Sequence, residues 1–260
     1  MNKWIKQSIK LANSPGYLDR LFEIYPVELG MDRAISDEVS SKIKKAFRNR
    51  DKLLLLETLL KLPKFPIDHP YVASLRRHPF LIKRNPKTVE RIAKTLFSAD
   101  LSTILILLTR PKSPTRQLGR SFKNWLQTIG YPFLEKNKFE KYQDIAFLKG
   151  SENQLKQFAI ETLKVKNLKR RPDFILKIKN KFIIGESKFL TDYGGSQNNQ
   201  FDGALEIAKL RKNNVIGIAV LDGIVWFKSK AYMHRTIRKF NGIALSALLL
   251  KDFIEEQKLD

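Results

Sequence analysis

The chain of 260 residues contains no cysteine. Disulfides, thiolate metal sites and a cysteine nucleophile are thereby excluded, and the composition fits a reducing cytoplasm. Long apolar runs are also missing. None approaches the ~20 residues needed to span a bilayer, and Leu101 to Leu108 is short enough to read as a buried helix. The opening Met1-Asn2-Lys3-Trp4 lacks the apolar core of a signal peptide. No membrane association is expected, and action inside the cytoplasm on soluble partners is. Negative charge is scarce: 26 Asp and Glu stand against 49 Lys and Arg, a formal net charge of +23.

That excess attracts polyanions and raises the rate of meeting them. Nucleic acid is the first candidate partner and an anionic membrane surface the second. Basic runs lie at Lys42 to Arg50, Arg76-Arg77, Lys164 to Arg171, Lys177 to Lys181 and Arg235 to Lys239. A single run is most often a solvated face. Their spread along the chain favours an extended phosphate-binding surface.

The first half reads as helical. Helices are expected over Asn2 to Leu11, Pro15 to Ile24, Ser36 to Arg48, Asp51 to Leu62, Asp68 to Arg77, Pro86 to Phe97 and Leu101 to Thr109. Acids in a first turn, Asn before Pro, and a terminating Pro63 supply the boundaries. The Pro-rich, basic stretch Arg110 to Pro114 divides a helical N-terminal region, 1–112, from an α/β region, 113–260. Arg116 to Ile129 and Asn153 to Leu163 continue as helices. Val215 to Val220 reads as a strand, Asp222-Gly223 as a turn, Ile224 to Phe227 as a further strand and Ile243 to Glu256 as a closing helix. Helices alternating with strands imply a mixed α/β (α+β) sheet with helices against it.

The most informative segment is Arg171-Pro172-Asp173, followed by Glu186-Ser187-Lys188. Two apolar runs, Phe174 to Ile178 and Phe182 to Ile184, flank Lys179-Asn180 and read as a hairpin. A two-residue or four-residue loop pairs Asp173 with Glu186; a three-residue loop does not. Opposed residues share a face with Cβ atoms ~5 Å apart, and alternation puts Lys188 on the face of Glu186. Two facing carboxylates repel, and a hard divalent cation removes that cost. Mg²⁺ typically uses one or two protein carboxylates with phosphate and water. A surface hairpin with scattered charge is the bland alternative, and a lysine-rich chain makes Glu-x-Lys by chance, as at Glu256-Gln257-Lys258. Only the first copy has Pro-Asp ahead of it at hairpin spacing.

The segment resembles the PD-(D/E)xK nuclease motif of type II restriction endonucleases, through Pro172-Asp173, Glu186-Ser187-Lys188 and the polar stretch after them. The resemblance implies a restriction-endonuclease-like core, with Asp173 and Glu186 as metal ligands and Lys188 assisting the attacking water. It implies Mg²⁺ as cofactor, with Mn²⁺ as an expected substitute, double-stranded DNA as substrate, 5′-phosphate and 3′-hydroxyl ends, and a homodimer. The helical region 1–112 would serve DNA binding or dimerisation. A third acid is often supplied in this family by a helix ahead of the sheet; Glu152 and Glu161 are the candidates.

Past Lys188, Gly194-Gly195 makes a turn and Ser196 is a candidate N-cap for a helix over Gln197 to Leu210. Gln197, Asn198, Asn199 and Gln200 would open it. Amides can read adenine through N6 and N7, though amides are also common in caps and loops. Arg116 and Arg120, one helical turn apart, and Arg170 and Arg171 are candidate phosphate contacts. His69, His78 and His234 have no metal-ligand spacing and read as structural or DNA-facing; Trp125 and Trp226 read as core. A resolvase, repair or nicking enzyme with the same chemistry, and a DNA-binding protein without catalysis, are the competing functions. The Gln/Asn-rich helix start favours base reading over shape reading.

Overall fold

The computed structural model describes residues 1–26, 34–109, 117–166 and 168–259. The chain divides into two compact units, Met1–Glu28 with Ser113–Asp260, and Leu29–Lys112. The expected division at 112/113 therefore needs a correction at its N-terminal end. Helices α1 (Lys3–Ala12) and α2 (Tyr17–Ile24) belong with the sheet. Their apolar residues Trp4, Ile5, Tyr17 and Leu21 are buried in the same core as Ile218 and Leu221. Burial of that face outweighs closeness in sequence to the helices that follow.

The Leu29–Lys112 unit is helical: α3 (Asp37–Arg48), α4 (Lys52–Lys61), α5 (Val72–Arg77), α6 (Leu81–Arg84), α7 (Pro86–Phe97) and α8 (Leu101–Thr109). Ser36 and Asp51 cap α3 and α4 by accepting from the Val39 and Leu54 N–H groups, which satisfies donors that a helix start otherwise leaves unpaired. Ile43, Leu55, Leu56, Leu59, Ile92, Leu96 and Ile104 form its own core. Among the described residues no single helix is long and apolar enough to cross a membrane.

In the other unit, α9 (Leu118–Leu126), α10 (Lys136–Lys141), α11 (Glu152–Glu161), α12 (Gly195–Ala208), α13 (Tyr232–Lys239) and α14 (Leu250–Leu259) pack with a seven-stranded mixed sheet. The strands are β1 (Phe133–Leu134), β2 (Ile145–Leu148), β3 (Phe174–Ile178), β4 (Lys181–Leu190), β5 (Arg211–Lys212), β6 (Val215–Gly223) and β7 (Ile243–Leu245). Their order is β1-β2-β3-β4-β6-β5, with β7 also on β6. β2, β3 and β4 are antiparallel, and β4 runs parallel to β6. Along β3, Phe174, Leu176 and Ile178 enter one core while Ile175 enters another with Ile184. Alternation with both faces covered makes this a layered fold of helices on a mixed sheet.

Three local expectations are corrected. Ile224 to Phe227 is no strand; Ile224–Trp226 forms a 3₁₀ turn. Ile243 to Glu256 is no single helix. Ile243–Leu245 joins the sheet as β7, a 3₁₀ turn covers Ala247–Leu249, and α14 follows. Asp222-Gly223 is no turn: both residues end β6, and Asp222 is fully buried. Its carboxylate accepts from Tyr25 Oη at 2.7 Å, Tyr17 Oη at 3.3 Å, the Ser246 hydroxyl and the Ala247 N–H at 3.1 Å. Burial raises its pKa to about 6, while these donors favour the charged form. The network ties α2 and the residue after it to the sheet, because a buried carboxylate must be fully hydrogen-bonded.

Candidate active site

The β3–β4 hairpin turns through Lys179-Asn180, with Lys179 in the left-handed region at φ 52°. Ile178 pairs with Lys181 and Phe174 with Gly185. The Asp173 N–H then donates to the Gly185 carbonyl at 2.9 Å. One step further along this register sets Asp173 against Glu186, as the two-residue loop requires. Gly185 has a packing reason: a Cβ there would lie 2.0 Å from the Phe174 ring. Phe174 in turn packs against Phe122 and Phe147. The glycine lets an aromatic close the core directly beneath the first acid.

Above that aromatic the charges converge. Asp173 Oδ2 accepts from the Ser187 N–H at 2.9 Å and the Ser187 hydroxyl at 3.2 Å. Lys188 Nζ lies 2.6 Å from Glu186 Oε1 and 3.5 Å from Asp173 Oδ2. It also donates to the Ser187 carbonyl at 2.9 Å. Glu186 is buried, with 6 % of its surface exposed, and its Oε2 has no hydrogen-bond partner. Burial, and then the Asp173 charge, raise the Glu186 pKa from 4.5 to about 7, against the pull of Lys188. Burial draws the Lys188 pKa down, but Asp173 and Glu186 outweigh it and the net direction is up.

Lys123, Glu152 and Arg171 complete the cluster. Lys123 of α9 reaches Glu152 Oε1 at 2.7 Å and Asp173 Oδ1 at 3.4 Å. Arg171 Nε lies 4.0 Å from Glu152 Oε2, and its Nη1 donates to Asn153 Oδ1 at 3.4 Å. Glu152 opens α11 behind a Ser151–Gln154 capping box. Of the two candidate third acids it is the one brought near Asp173. Glu161 closes the same helix, about 14 Å along its axis from Glu152 at 1.5 Å per residue, and accepts from Gln157; the fold does not bring it to the cluster. Lys123 was missed in the sequence because α9 offers no acid, and a lone lysine on an amphipathic helix carries no signal.

The expected DNA-contacting residues scatter. Arg120 and Gln200 line one cleft with Lys123, Asp173 and Lys188. Gln197 folds back on Thr191, accepting from its N–H at 3.3 Å and donating to its hydroxyl at 3.2 Å. Asn198 is half-buried and Asn199 exposed. Arg170 packs over Gly203 of α12 and donates to the Asn199 carbonyl at 3.4 Å. Arg116 lies outside the described residues. Ser196 sits inside α12 rather than capping it; Gly194, at φ 92°, takes that position. His234 is buried against the Val225 carbonyl, and the fully buried Trp226 donates to the Leu221 carbonyl. Trp125 is half-buried against Phe122.

Among the described residues no three His, Asp or Glu side chains form a ready metal cluster. The fit for a divalent cation rests instead on two neighbouring carboxylates and the orphaned Glu186 Oε2. Oxygen donors of this kind suit a hard cation that completes its shell with phosphate and water.

A mixed sheet of this order, carrying two acids and a lysine on one hairpin beside a basic cleft, defines a nuclease of the restriction-endonuclease class. The family model of the Tsp45I type II restriction enzyme matches residues 2–257. The chain belongs to that family, whose activity is sequence-specific cleavage of DNA. No curated protein and no solved structure matches it.

Proposed function

We propose that the chain is a Mg²⁺-dependent endonuclease that hydrolyses both strands of duplex DNA at a short site, with Asp173 and Glu186 as metal ligands and Lys188 at the attacking water. One observation carries this reading: the hairpin register that faces two carboxylates and leaves a buried Glu186 oxygen without a partner. A bound divalent ion supplies Lewis acidity and a more acidic water. Lys188 is held charged between two acids. Within reach of Glu186 Oε1 and Asp173 Oδ2, it is placed to position the attacking water or to offset the developing negative charge. The water oxygen bonds to phosphorus as the P–O3′ bond breaks; the water gives up one proton and the departing O3′ takes one, leaving 5′-phosphate and 3′-hydroxyl ends.

Gln200, in the cleft beside Lys188, is the amide best placed to reach a base edge. Arg120 and Arg171 are assigned to phosphates. Symmetric cutting of two strands calls for two sites, hence a homodimer. The Leu29–Lys112 unit is assigned to dimerisation or to further DNA contacts, and the cytoplasm is the expected place of action. Mn²⁺ is expected to replace Mg²⁺.

Digestion of a defined genome with Mg²⁺, followed by sequencing of the ends, tests the proposal. Discrete ends at one short motif are expected, each bearing a 5′-phosphate. Near-full cleavage by Glu186→Ala or Lys188→Ala protein would refute the assignment. Cleavage confined to branched DNA would point to a resolvase.

A further inference from the structure

The charges of the site alternate along a chain of contacts: Glu186, Lys188, Asp173, Lys123, Glu152 and Arg171. The two halves of this chain are not equivalent. On one side Glu186 Oε2 is buried without a partner. On the other, Lys123 bridges Asp173 Oδ1 and Glu152 Oε1, and Arg171 approaches the second Glu152 oxygen. A cation shared by two carboxylates supplies the positive charge that a divalent ion bound between them would otherwise supply. Here that cation is tethered to α9. Its helix is anchored by buried Phe122 and Leu126, so the ammonium is held at the site by the core.

We infer that the site takes a single divalent cation on the Asp173–Glu186 side, and that Lys123 is a built-in replacement for a second. This rests on the metal-dependent reading above. Lys123 is a positioning residue that acts through Asp173 and Glu152. With its charge removed, those two acids share no cation, and two carboxylates beside one another can hold a hard divalent ion. Arginine at the same position would keep the second ion out.

The test is a titration of Mn²⁺ alone into metal-free, full-length protein, with unbound Mn²⁺ followed by its electron paramagnetic resonance signal. Wild type is expected to bind one ion per chain, Lys123→Gln two, and Lys123→Arg one. The double variant Lys123→Gln/Glu152→Gln is expected to return to one. Circular dichroism melts check that each variant is folded. Two ions on wild type, or a folded Lys123→Gln that still binds one, would overturn the inference. Glu186→Gln probes the underlying reading separately: wild-type Mn²⁺ that survives this change removes Glu186 as a ligand, whatever Lys123 does. No Mn²⁺ on wild type would sink both.

Discussion

Glu186 carries a proton-linked cost that can be measured without any catalysis. Its pKa rises from an ordinary 4.5 to about 7, first through burial and then through Asp173. Between those values the unfolded chain has released the proton while the folded protein still holds it. Stability contributed by this group is therefore complete below 4.5 and is lost as pH rises to about 7. At ~1.4 kcal/mol per pH unit the loss comes to about 3 kcal/mol. The sheet-bearing unit falls in the size class where 1 kcal/mol moves the melting temperature by ~2–4 °C, so the expected swing is on the order of 6–12 °C. Glu186→Gln removes the titration and keeps the shape. Any constant penalty for burying the amide does not vary with pH. Melts of metal-free wild type and Glu186→Gln across this range should diverge, with the variant gaining on wild type as pH rises. A constant difference between the two curves would refute the reasoning. Added Mg²⁺ should narrow the gap above pH 7, because the cation favours the ionised carboxylate.

The same geometry supports other outcomes. Lys188→Met should lower the cleavage rate on the order of 10²–10³-fold, the loss of one donor to developing charge, with duplex affinity in the absence of divalent ions little changed in a gel-shift assay. Gly185→Ala forces a Cβ into the Phe174 ring and should cost about 1–3 kcal/mol in denaturant melts. Adding Phe174→Leu should recover part of that loss. Asp222→Ala strands the hydroxyls of Tyr17, Tyr25 and Ser246. At about 1–3 kcal/mol per unpaired buried group, it should loosen α2 and Tyr25 first, seen as early loss of their amide protection in hydrogen exchange.

Much of this protein was legible as sequence because its signals are local. Apolar runs on either side of Lys179-Asn180 read as a hairpin, and a two-residue turn sets Asp173 opposite Glu186. Caps and prolines similarly marked most helices of the Leu29–Lys112 unit, where Pro86–Phe97 and Leu101–Thr109 end where the residues say they should. Other features depended on contacts between distant segments. Asp222-Gly223 carries a turn signature, yet Tyr17, Tyr25 and Ser246 supply hydrogen bonds that make burial the better solution. Ile243–Leu245 is apolar at either period, and only the open edge of β6 makes it a strand. Glu152 and Glu161 are equivalent candidates until α11 is oriented; its N-terminal end then faces Asp173 through Lys123. Sequence alone therefore determined the hairpin and the charges it brings together, because register and alternation act over a few residues. Only the tertiary structure decided which further acid and which second lysine join them, because those come from separate helices whose placement is set by the shared core.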